Sequence, residues 1–388
     1  MERLELRADF EGGNAEGVEV VGPAHVRFRA RRDESPRPLW FYFQLTGPEG
    51  LEVRVDLANA SECLGGTAEA WRVARPVFSH DGRAWRRVRR TRYHEALGTF
   101  SFYISLGRGV AWAALCYPYT YSDLLKLLER LSRHPHARVE AIGESAEGRP
   151  IYAITVTDPS VPSREKVGVA ATARHHAGET PGSFTLEGLL EFLLRDEARP
   201  IRRRLTLRAY PMVDVDGVVR GMYGKDRGGR LSDFNRDWTD SPRRPEVRAV
   251  RDDLDEWAGE CNYRAFLDFH APTLKDFNYF YLISRDEAGE GYCEAAARVL
   301  RLVALRCPDL FRAEDYREVS TRDPNWRYWH RSSCYYQHSR YGVLSLACET
   351  SYNLSWQGEY MTEESMRRLG RSIGWALSRY LLGEWQGL

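Results

Sequence analysis

Histidine and glutamate side chains recur at the ends of apolar, strand-like segments in the second half of this chain. His176 and Glu179 follow one such segment, His270 follows a second, and Glu349 follows a third. Imidazole and carboxylate groups suit a catalytic zinc ion, which takes three protein ligands and keeps one position open for water. The pattern therefore predicts that His176, Glu179 and His270 bind a metal. Glu349 then remains outside the ligand set as a general base.

The spacing of the first two residues is weak evidence by itself. A histidine and a glutamate three residues apart often arise by chance, and a histidine at a strand end is more often hydrogen-bonded than metal-bound. The second histidine and the second glutamate, at other strand ends of the same sheet, favour the metal site. His175 directly precedes His176 and offers an alternative register in which it is the ligand.

The elements that must position these side chains alternate between strands and helices from about residue 122 onward. Segments typical of strands are 139–142, 151–157, 167–173, 205–213, 265–269, 278–283 and 343–347. Segments with helical spacing are 123–133 (with Ser122 as the predicted N-cap), 184–195, 246–257, 287–305 and 362–382. This alternation predicts a mostly parallel or mixed sheet with helices on both faces. In such sheets the active site lies at the carboxyl ends of the strands.

The beginning of the chain has a different pattern. Short strand-like segments occur at 25–29, 39–45, 51–57, 71–77 and 99–106. Turns rich in Gly, Pro, Asn and Asp separate them, and no clear helical pattern intervenes. We therefore predict two domains: a small antiparallel β-sandwich over residues 1–116, and an α/β domain over residues 117–388.

Composition excludes several classes of protein. The 388 residues include 56 basic and 55 acidic side chains, so no strong global charge favours nucleic acid. No apolar run approaches the roughly 18–20 residues that span a bilayer, and the first residues lack the apolar core of a signal peptide. The seven cysteines are scattered without metal-binding spacing, which is typical of a reducing compartment. We expect a cytoplasmic protein that binds neither nucleic acid nor membranes, and that is compatible with oligomer formation.

Five motifs, in order along the chain, resemble those of the M14 family of zinc metallocarboxypeptidases, in its cytosolic carboxypeptidase branch. They are CYPYTYS (116–122), GESAEGRPI (143–151), ARHHAGETPGS (173–183), DVDG (214–217) and DFNR (233–236). Ala177 stands where that branch usually has Pro, and Asp214 and Val215 depart from its Asn and Pro. The resemblance implies the zinc carboxypeptidase fold: a mixed eight-stranded sheet flanked by helices, preceded by a small antiparallel β-sandwich.

The resemblance also implies a role for each matching residue in the metal site. His176, Glu179 and His270 would hold one Zn²⁺ per chain, which favours His176 over His175 as the ligand. Asp233 would accept a hydrogen bond from His176 and fix its orientation. Glu349 would act as general base and then as general acid.

For the substrate, the resemblance implies that Asn235 and Arg236 bind the free C-terminal carboxylate, because the guanidinium fork matches a carboxylate. A further arginine would stabilise the oxyanion, and Arg227 is the first choice by position. The loop before the DFNR motif is about two residues longer than the family pattern. Arg220 and Arg230 therefore remain alternatives.

We expect the segment before Glu349 to line the pocket for the last side chain of the substrate, and so to determine specificity. Tyr328 is the nearest match in spacing to a mobile tyrosine of related enzymes, although packing explains it equally well. If Arg331 points into the pocket, a terminal Glu or Asp is favoured. If Cys334 lies at its base, a neutral or apolar side chain fits better.

The function that follows is zinc-dependent hydrolysis of the C-terminal peptide bond, or an isopeptide-like bond to Glu, in peptides or protein tails. Two rival hypotheses come from other classes. One is a zinc-dependent amidohydrolase acting on N-acyl amino acids, which shares the ligand pattern. The other is a non-catalytic protein that binds C-terminal tails, although no expected ligand or base is missing.

Overall fold

The structure is a computed structural model, which describes residues 3–227, 229 and 231–383. The first part of the chain contains ten strands. They are β1 (Glu5–Arg7), β2 (Glu16–Gly22), β3 (His25–Arg29), β4 (Tyr42–Thr46), β5 (Glu52–Leu57), β6 (Val77–Ser79), β7 (Arg86–Arg87), β8 (Thr91–His94), β9 (Thr99–Ser105) and β10 (Val110–Ala114). They form two five-stranded sheets, in the orders β1-β4-β10-β6-β7 and β2-β3-β5-β9-β8.

Aromatic rings join these two sheets face to face. Phe28 of β3 lies 5.0 Å from Phe43 of β4, and Phe41 stacks on Phe102 of β9 at 5.9 Å between ring centroids. Large rings that interdigitate in this way fill the core of a β-sandwich. The predicted N-terminal sandwich is therefore confirmed, with one difference: strands β3 and β5 pair in parallel.

The strand predicted over residues 71–77 is wrong in its first half. Residues Ala68–Val73 form a short helix, α1, and only Val77 belongs to β6. The side chain of Thr67 caps α1 by accepting from the amide of Ala70, and Trp71 is fully buried with its indole donating to the Ala60 carbonyl. The pattern of a short apolar segment is compatible with a strand or a helix, and the N-cap Thr67 favours the helix here.

The rest of the chain builds one eight-stranded sheet. Its strands are β11 (Ala137–Glu144), β12 (Pro150–Val156), β13 (Val167–Ala173), β14 (Leu205–Tyr210), β15 (Asn262–His270), β16 (Tyr279–Ile283), β17 (Tyr316–Val319) and β18 (Leu344–Glu349). The order is β11-β12-β14-β13-β15-β18-β16-β17. The four central strands β14, β13, β15 and β18 run parallel. The predicted mixed sheet is confirmed.

Helices flank this sheet. They are α2 (Tyr121–Ser132), α3 (Thr180–Leu194), α4 (Arg199–Arg202), α5 (Val215–Val219), α6 (Pro245–Ala258), α7 (Arg285–Ala288), α8 (Glu290–Arg306), α9 (Ser333–Tyr341) and α10 (Glu363–Leu381). Helix α2 begins two residues before the predicted start, because Thr120 and Asp123 form a capping box there instead of Ser122. Helices α3 and α10 cross closely. A side chain on Gly188 of α3 would collide with the backbone of α10, and a side chain on Gly370 of α10 would collide with the backbone of α3.

Several short elements escaped the sequence pattern, among them β17 and α9. Both are short: β17 has four residues, three of them exposed, and α9 has nine. Neither presents a long apolar periodicity. Within the described residues, no helix combines the length and the apolar character needed to cross a membrane.

Candidate active site

Three parallel strands deliver the predicted site residues to one edge of the large sheet. Strand β13 ends at Ala173, which lies beside Phe269 of β15, and His270 at the end of β15 lies beside Glu349 at the end of β18. The turn after β13 carries His176 and Glu179. Because parallel strands bring their carboxyl ends together, residues distant in sequence meet at this edge.

Buried hydrogen bonds and close packing fix the turn between β13 and α3. Arg174 has a positive φ of 63° and is buried, and its guanidinium donates to the carbonyls of Ala177 and Tyr119. Burial lowers the pKa of this arginine to about 10. At the start of α3, a side chain on Gly182 would meet the Phe269 carbonyl oxygen at 2.7 Å, so only glycine lets the helix approach β15. The turn is thereby fixed against the sheet.

The three predicted ligands face one another in a buried cluster. Nδ1 of His176 lies 3.0 Å from Oε1 of Glu179, and Nδ1 of His270 lies 2.7 Å from Oε2 of the same carboxylate. The potential ligand atoms all lie within 4.8 Å of one another. Nδ1 of His176 is buried without a hydrogen-bond partner among the described residues. Two imidazoles and a carboxylate arranged in this way fit a zinc ion.

Carboxylates behind the two imidazoles explain why Nδ1 faces the cluster. Nε2 of His176 lies 3.1 Å from Asp233, as predicted, and Nε2 of His270 lies 2.8 Å from Asp268. A carboxylate at Nε2 keeps the proton there and leaves Nδ1 free to bind a metal. Burial lowers the pKa of His176, but Asp233 and Glu179 raise it to about 9. Sequence reasoning missed Asp268, although it lies two residues before His270 on the same face of β15.

The alternative ligand His175 is engaged at both nitrogens. Its Nδ1 lies 2.9 Å from Asp268, and its Nε2 accepts a hydrogen bond of 3.0 Å from the Trp238 indole. A second group of possible ligand atoms, from His175, Asp268 and His270, is equally compact. Both ring nitrogens of His175 are already hydrogen-bonded, whereas Nδ1 of His176 faces Glu179 without a hydrogen-bond partner, so the group with His176 and Glu179 is the better metal site.

Glu349 ends β18 with its side chain buried in the same cavity. Its Oε2 has no hydrogen-bond partner among the described residues. Burial raises the pKa of this carboxyl group, while Lys225 and His270 act in the opposite direction. A carboxylate with a raised pKa and a free oxygen is suited to accept a proton from water and to release it again.

The arginine predicted to stabilise the oxyanion is placed elsewhere. The guanidinium of Arg227 donates to Glu34 at 2.8 Å and to Asp214 at 2.9 Å, and it does not line the cavity. Arg220 forms an ion pair with Glu147 away from the cavity. Arg230 lies outside the described residues.

Lys225 occupies the cavity instead. Its ammonium group donates to Oε1 of Glu179 at 2.8 Å. Burial lowers the pKa of this lysine, but the carboxylates of Glu179 and Glu349 outweigh that effect and raise it well above its usual value. The group is therefore positively charged at neutral pH. In the sequence, Lys225 lies two residues before Arg227, the arginine predicted to stabilise the oxyanion. The loop that carries both residues is longer than the family pattern, so the motif could not show which of its residues enters the cavity.

The pair between Arg227 and Asp214 leads to a prediction about stability. We expect Arg227→Met to destabilise the protein by about 3–5 kcal/mol at pH 8, because it leaves a buried carboxylate without its cation. Burial raises the pKa of Asp214 to about 6, with Arg227 acting against it. Below that pH the carboxyl group is protonated in both proteins, so the loss should shrink at pH 5. Denaturant unfolding of both proteins at the two pH values measures this difference in the free energy of unfolding.

The exposed Arg243 provides the matched control, because no ion pair holds its side chain among the described residues. Arg243→Met should change stability by less than about 0.5 kcal/mol. An equal loss for Arg227→Met at pH 5 and pH 8 would contradict the assigned role of the Asp214 charge.

The predicted carboxylate clamp lies on a short helical turn, Phe234–Arg236, at the cavity wall. Oδ1 of Asn235 accepts from the Ser333 amide at 2.9 Å, which fixes this side chain. Arg236 lies over the Trp329 ring at 5.4 Å. Among the described residues, no carboxylate lies within ion-pair distance of Arg236. Nη1 of Arg236 donates to the Asn235 carbonyl at 2.6 Å, and its remaining N–H groups are available for an anionic group.

The cavity has a volume of about 220 Å³ and a wall rich in aromatic rings. Tyr281, Trp326 and Trp329 contact one another with centroid separations of 5.1–5.8 Å. Neither Tyr328 nor Arg331 lines it: the first stacks with Arg327, and the second points toward Asp237. Cys334 is buried and does not line the cavity. Thus the structure does not bring either predicted specificity residue to the cavity, and aromatic rings occupy that place.

Comparison with known proteins agrees with this fold. A model of the zinc carboxypeptidase family matches residues 124–351, and a model of the cytosolic carboxypeptidase N-terminal domain matches residues 6–115. The chain belongs to the zinc carboxypeptidase family. The predicted family, fold class and zinc cofactor are thereby confirmed.

Individual relatives are distant. Cytosolic carboxypeptidase 3 of Bos taurus is 26% identical over 343 residues, which cover 79% of this chain and 33% of that protein. Cytosolic carboxypeptidase 6 of Mus musculus is 28% identical over 302 residues, which cover 72% of this chain and 55% of that protein. The chain thus spans between a third and about half the length of these relatives.

A solved structure matches over the full length. The metallo-carboxypeptidase from Burkholderia cenocepacia superposes with a TM-score of 0.84 at 25% identity, covering 98% of this chain and 100% of that one. The sandwich and the large sheet therefore occur together in another protein of the same size.

Proposed function

We propose that this chain is a zinc-dependent metallocarboxypeptidase that removes the last residue of peptides or protein tails. The observation that supports the proposal is the content of one cavity. Possible metal ligands, an unpartnered buried carboxylate and an unpaired arginine all line it or lie beside it. These are the parts that hydrolysis of a bond next to a free carboxylate requires.

The residues of this chain would divide the chemistry between them. His176, Glu179 and His270 would hold zinc, whose Lewis acidity would make a water molecule a nucleophile at neutral pH. Oε2 of Glu349 accepts a proton from the attacking water and delivers it to the leaving amine nitrogen. Asp233 and Asp268 keep the two imidazoles in the required orientation and tautomer.

Exopeptidase action follows from the clamp. Arg236 offers two parallel N–H groups to the terminal carboxylate, and Asn235 lies beside it. A substrate anchored by its last carboxylate presents only its last peptide bond to Glu349. An internal peptide bond has no carboxylate to anchor.

We also propose a cytoplasmic location and a domain boundary near residues 116 and 117. All seven cysteines lie in the described part of the chain and none is disulfide-bonded. The relatives that the chain matches carry the name cytosolic carboxypeptidase. Strand β10 ends at Ala114 and α2 begins at Tyr121, which leaves a short connection at the proposed boundary.

A comparison of three substrates tests the proposal. We expect the zinc-loaded protein to shorten a peptide with a free C-terminal carboxylate and to leave the same peptide with a C-terminal amide intact. Cleavage of both peptides would contradict the role of the clamp. Hydrolysis of an N-acyl amino acid but of neither peptide would establish the rival amidohydrolase.

A further inference from the structure

Lys225 is placed among reacting groups without a role in the chemistry described above. Its ammonium group donates to Oε1 of Glu179 and lines the cavity that also contains His176, His270 and Glu349. About 28% of its side chain is accessible, and it faces this cavity. A substrate carbonyl beside the metal ligands would therefore meet this ammonium group.

The lysine has hydrogen-bonding capacity to spare. An ammonium group carries three N–H bonds. Among the described residues, its hydrogen bond is to Glu179 and no second acceptor is recorded. Two N–H bonds therefore remain for a substrate oxygen.

The other cations of the cavity are committed elsewhere. Arg317 pairs with Asp276 at 2.9 Å and stacks on Tyr279 at 4.0 Å, and its side chain is half exposed at the rim. Arg236 lies over Trp329 in the proposed clamp. Of the cations that line the cavity in the described chain, Lys225 alone contacts a predicted metal ligand.

The N-terminal sandwich holds the loop that carries this lysine. Asn14 donates to the Gly221 carbonyl at 2.7 Å, and Asp33 accepts from the Tyr223 amide at 2.7 Å. Glu34 accepts from Arg227 at 2.8 Å. The sandwich thus fastens the loop on both sides of Lys225.

We propose that Lys225 stabilises the negative charge that develops on the scissile carbonyl oxygen, and that Asp33 and Glu34 of the sandwich position its loop. This inference rests on the proposed carboxypeptidase function. A cation placed in advance at a developing oxyanion is among the strongest contributions to catalysis in a buried site. The sandwich then serves as part of the catalytic apparatus.

The test compares Lys225→Met, Lys225→Arg and the control Lys126→Met, an exposed lysine. We expect Lys225→Met to lower kcat by about 10²–10³-fold with little change in KM, and with zinc content equal to that of the wild type. Lys225→Arg should restore at least about a tenth of the activity, since it returns the charge. The control should behave like the wild type.

A second readout is independent of turnover. A phosphonate peptide carries a tetrahedral anion in place of the scissile bond, so its Kd for Lys225→Met should rise by about the same factor as kcat falls. The Kd of a product amino acid should not change. Loss of zinc from Lys225→Met would overturn the inference, because the lysine would then merely support Glu179. Activity within about threefold of the wild type would also overturn it.

The positioning role of the sandwich has its own comparison. We expect Glu34→Gln to lower kcat by about tenfold with KM unchanged, whereas the exposed Glu49→Gln should have no effect. Equal changes in kcat and KM would contradict the positioning role. Absence of peptide hydrolysis by the wild type would instead defeat the proposed function itself, so the two failures are distinguishable.

Discussion

Glu349→Gln is expected to lower kcat on peptides by about 10²–10⁴-fold, the range that general acid–base catalysis contributes. Glutamine has the shape of glutamate but cannot accept a proton from water at neutral pH. The unpartnered Oε2 of Glu349 makes no hydrogen bond among the described residues whose loss would disturb the fold. KM and zinc content should therefore stay at wild-type values. Steady-state kinetics together with metal analysis measure all three quantities.

Glu359→Gln is the matched control, because Glu359 is exposed and lies only ten residues further along the chain. Its kcat should equal that of the wild type. If Glu349→Gln retained more than about a tenth of the activity, another group would have to be the base. A lower zinc content in this variant would mean that Glu349 supports the metal site.

His270→Ala is expected to reduce zinc content from about one ion per chain to less than about a tenth, because a three-ligand site loses a ligand. The substitution also removes the group between two buried carboxylates, Glu179 and Asp268. Lys225 and His175 still pair with these carboxylates, so we expect a loss of stability of about 1–3 kcal/mol, the usual cost of removing one hydrogen-bond partner from a buried polar group. Metal analysis and denaturant unfolding give the two numbers.

The exposed His330 supplies the control for this substitution. Its Nδ1 lies 2.8 Å from a backbone carbonyl, and it does not line the cavity. His330→Ala should keep its zinc and its stability. Full zinc content in His270→Ala would place the metal elsewhere, and would contradict the ligand set.

Much of the fold and the metal cluster could be predicted because both follow from strand order. Apolar segments such as Val167–Ala173 have the same bounds in the structure as in the sequence pattern. Parallel strands end at one edge of a sheet, so polar residues directly after them must converge. His270 and Glu349 follow from this reasoning, whereas the preference for His176 over His175 needed the resemblance of the motif. Asp268 was within reach of the same reasoning, since side chains two apart on a strand share a face.

The loop residues could not be predicted in this way. Lys225 and Arg227 are two positions apart in an irregular loop, where spacing does not determine which side chain turns inward. Here the choice is made by Glu34 and Asp214, which capture the arginine from outside the cavity. Glu34 belongs to the other domain, and no local pattern connects it with the loop. The same limit applies to Arg331, which is drawn toward Asp237 and away from the cavity.

The most direct test of the account is mass analysis of peptides incubated with the zinc-loaded wild-type protein, alongside its metal content. We predict about one zinc per chain and the stepwise loss of single residues from the free C-terminus. Internal cleavage, or intact peptides in the presence of a full complement of zinc, would contradict the carboxypeptidase reading of this site. Protein that binds no zinc under these conditions would contradict the metal cluster on which the whole account depends.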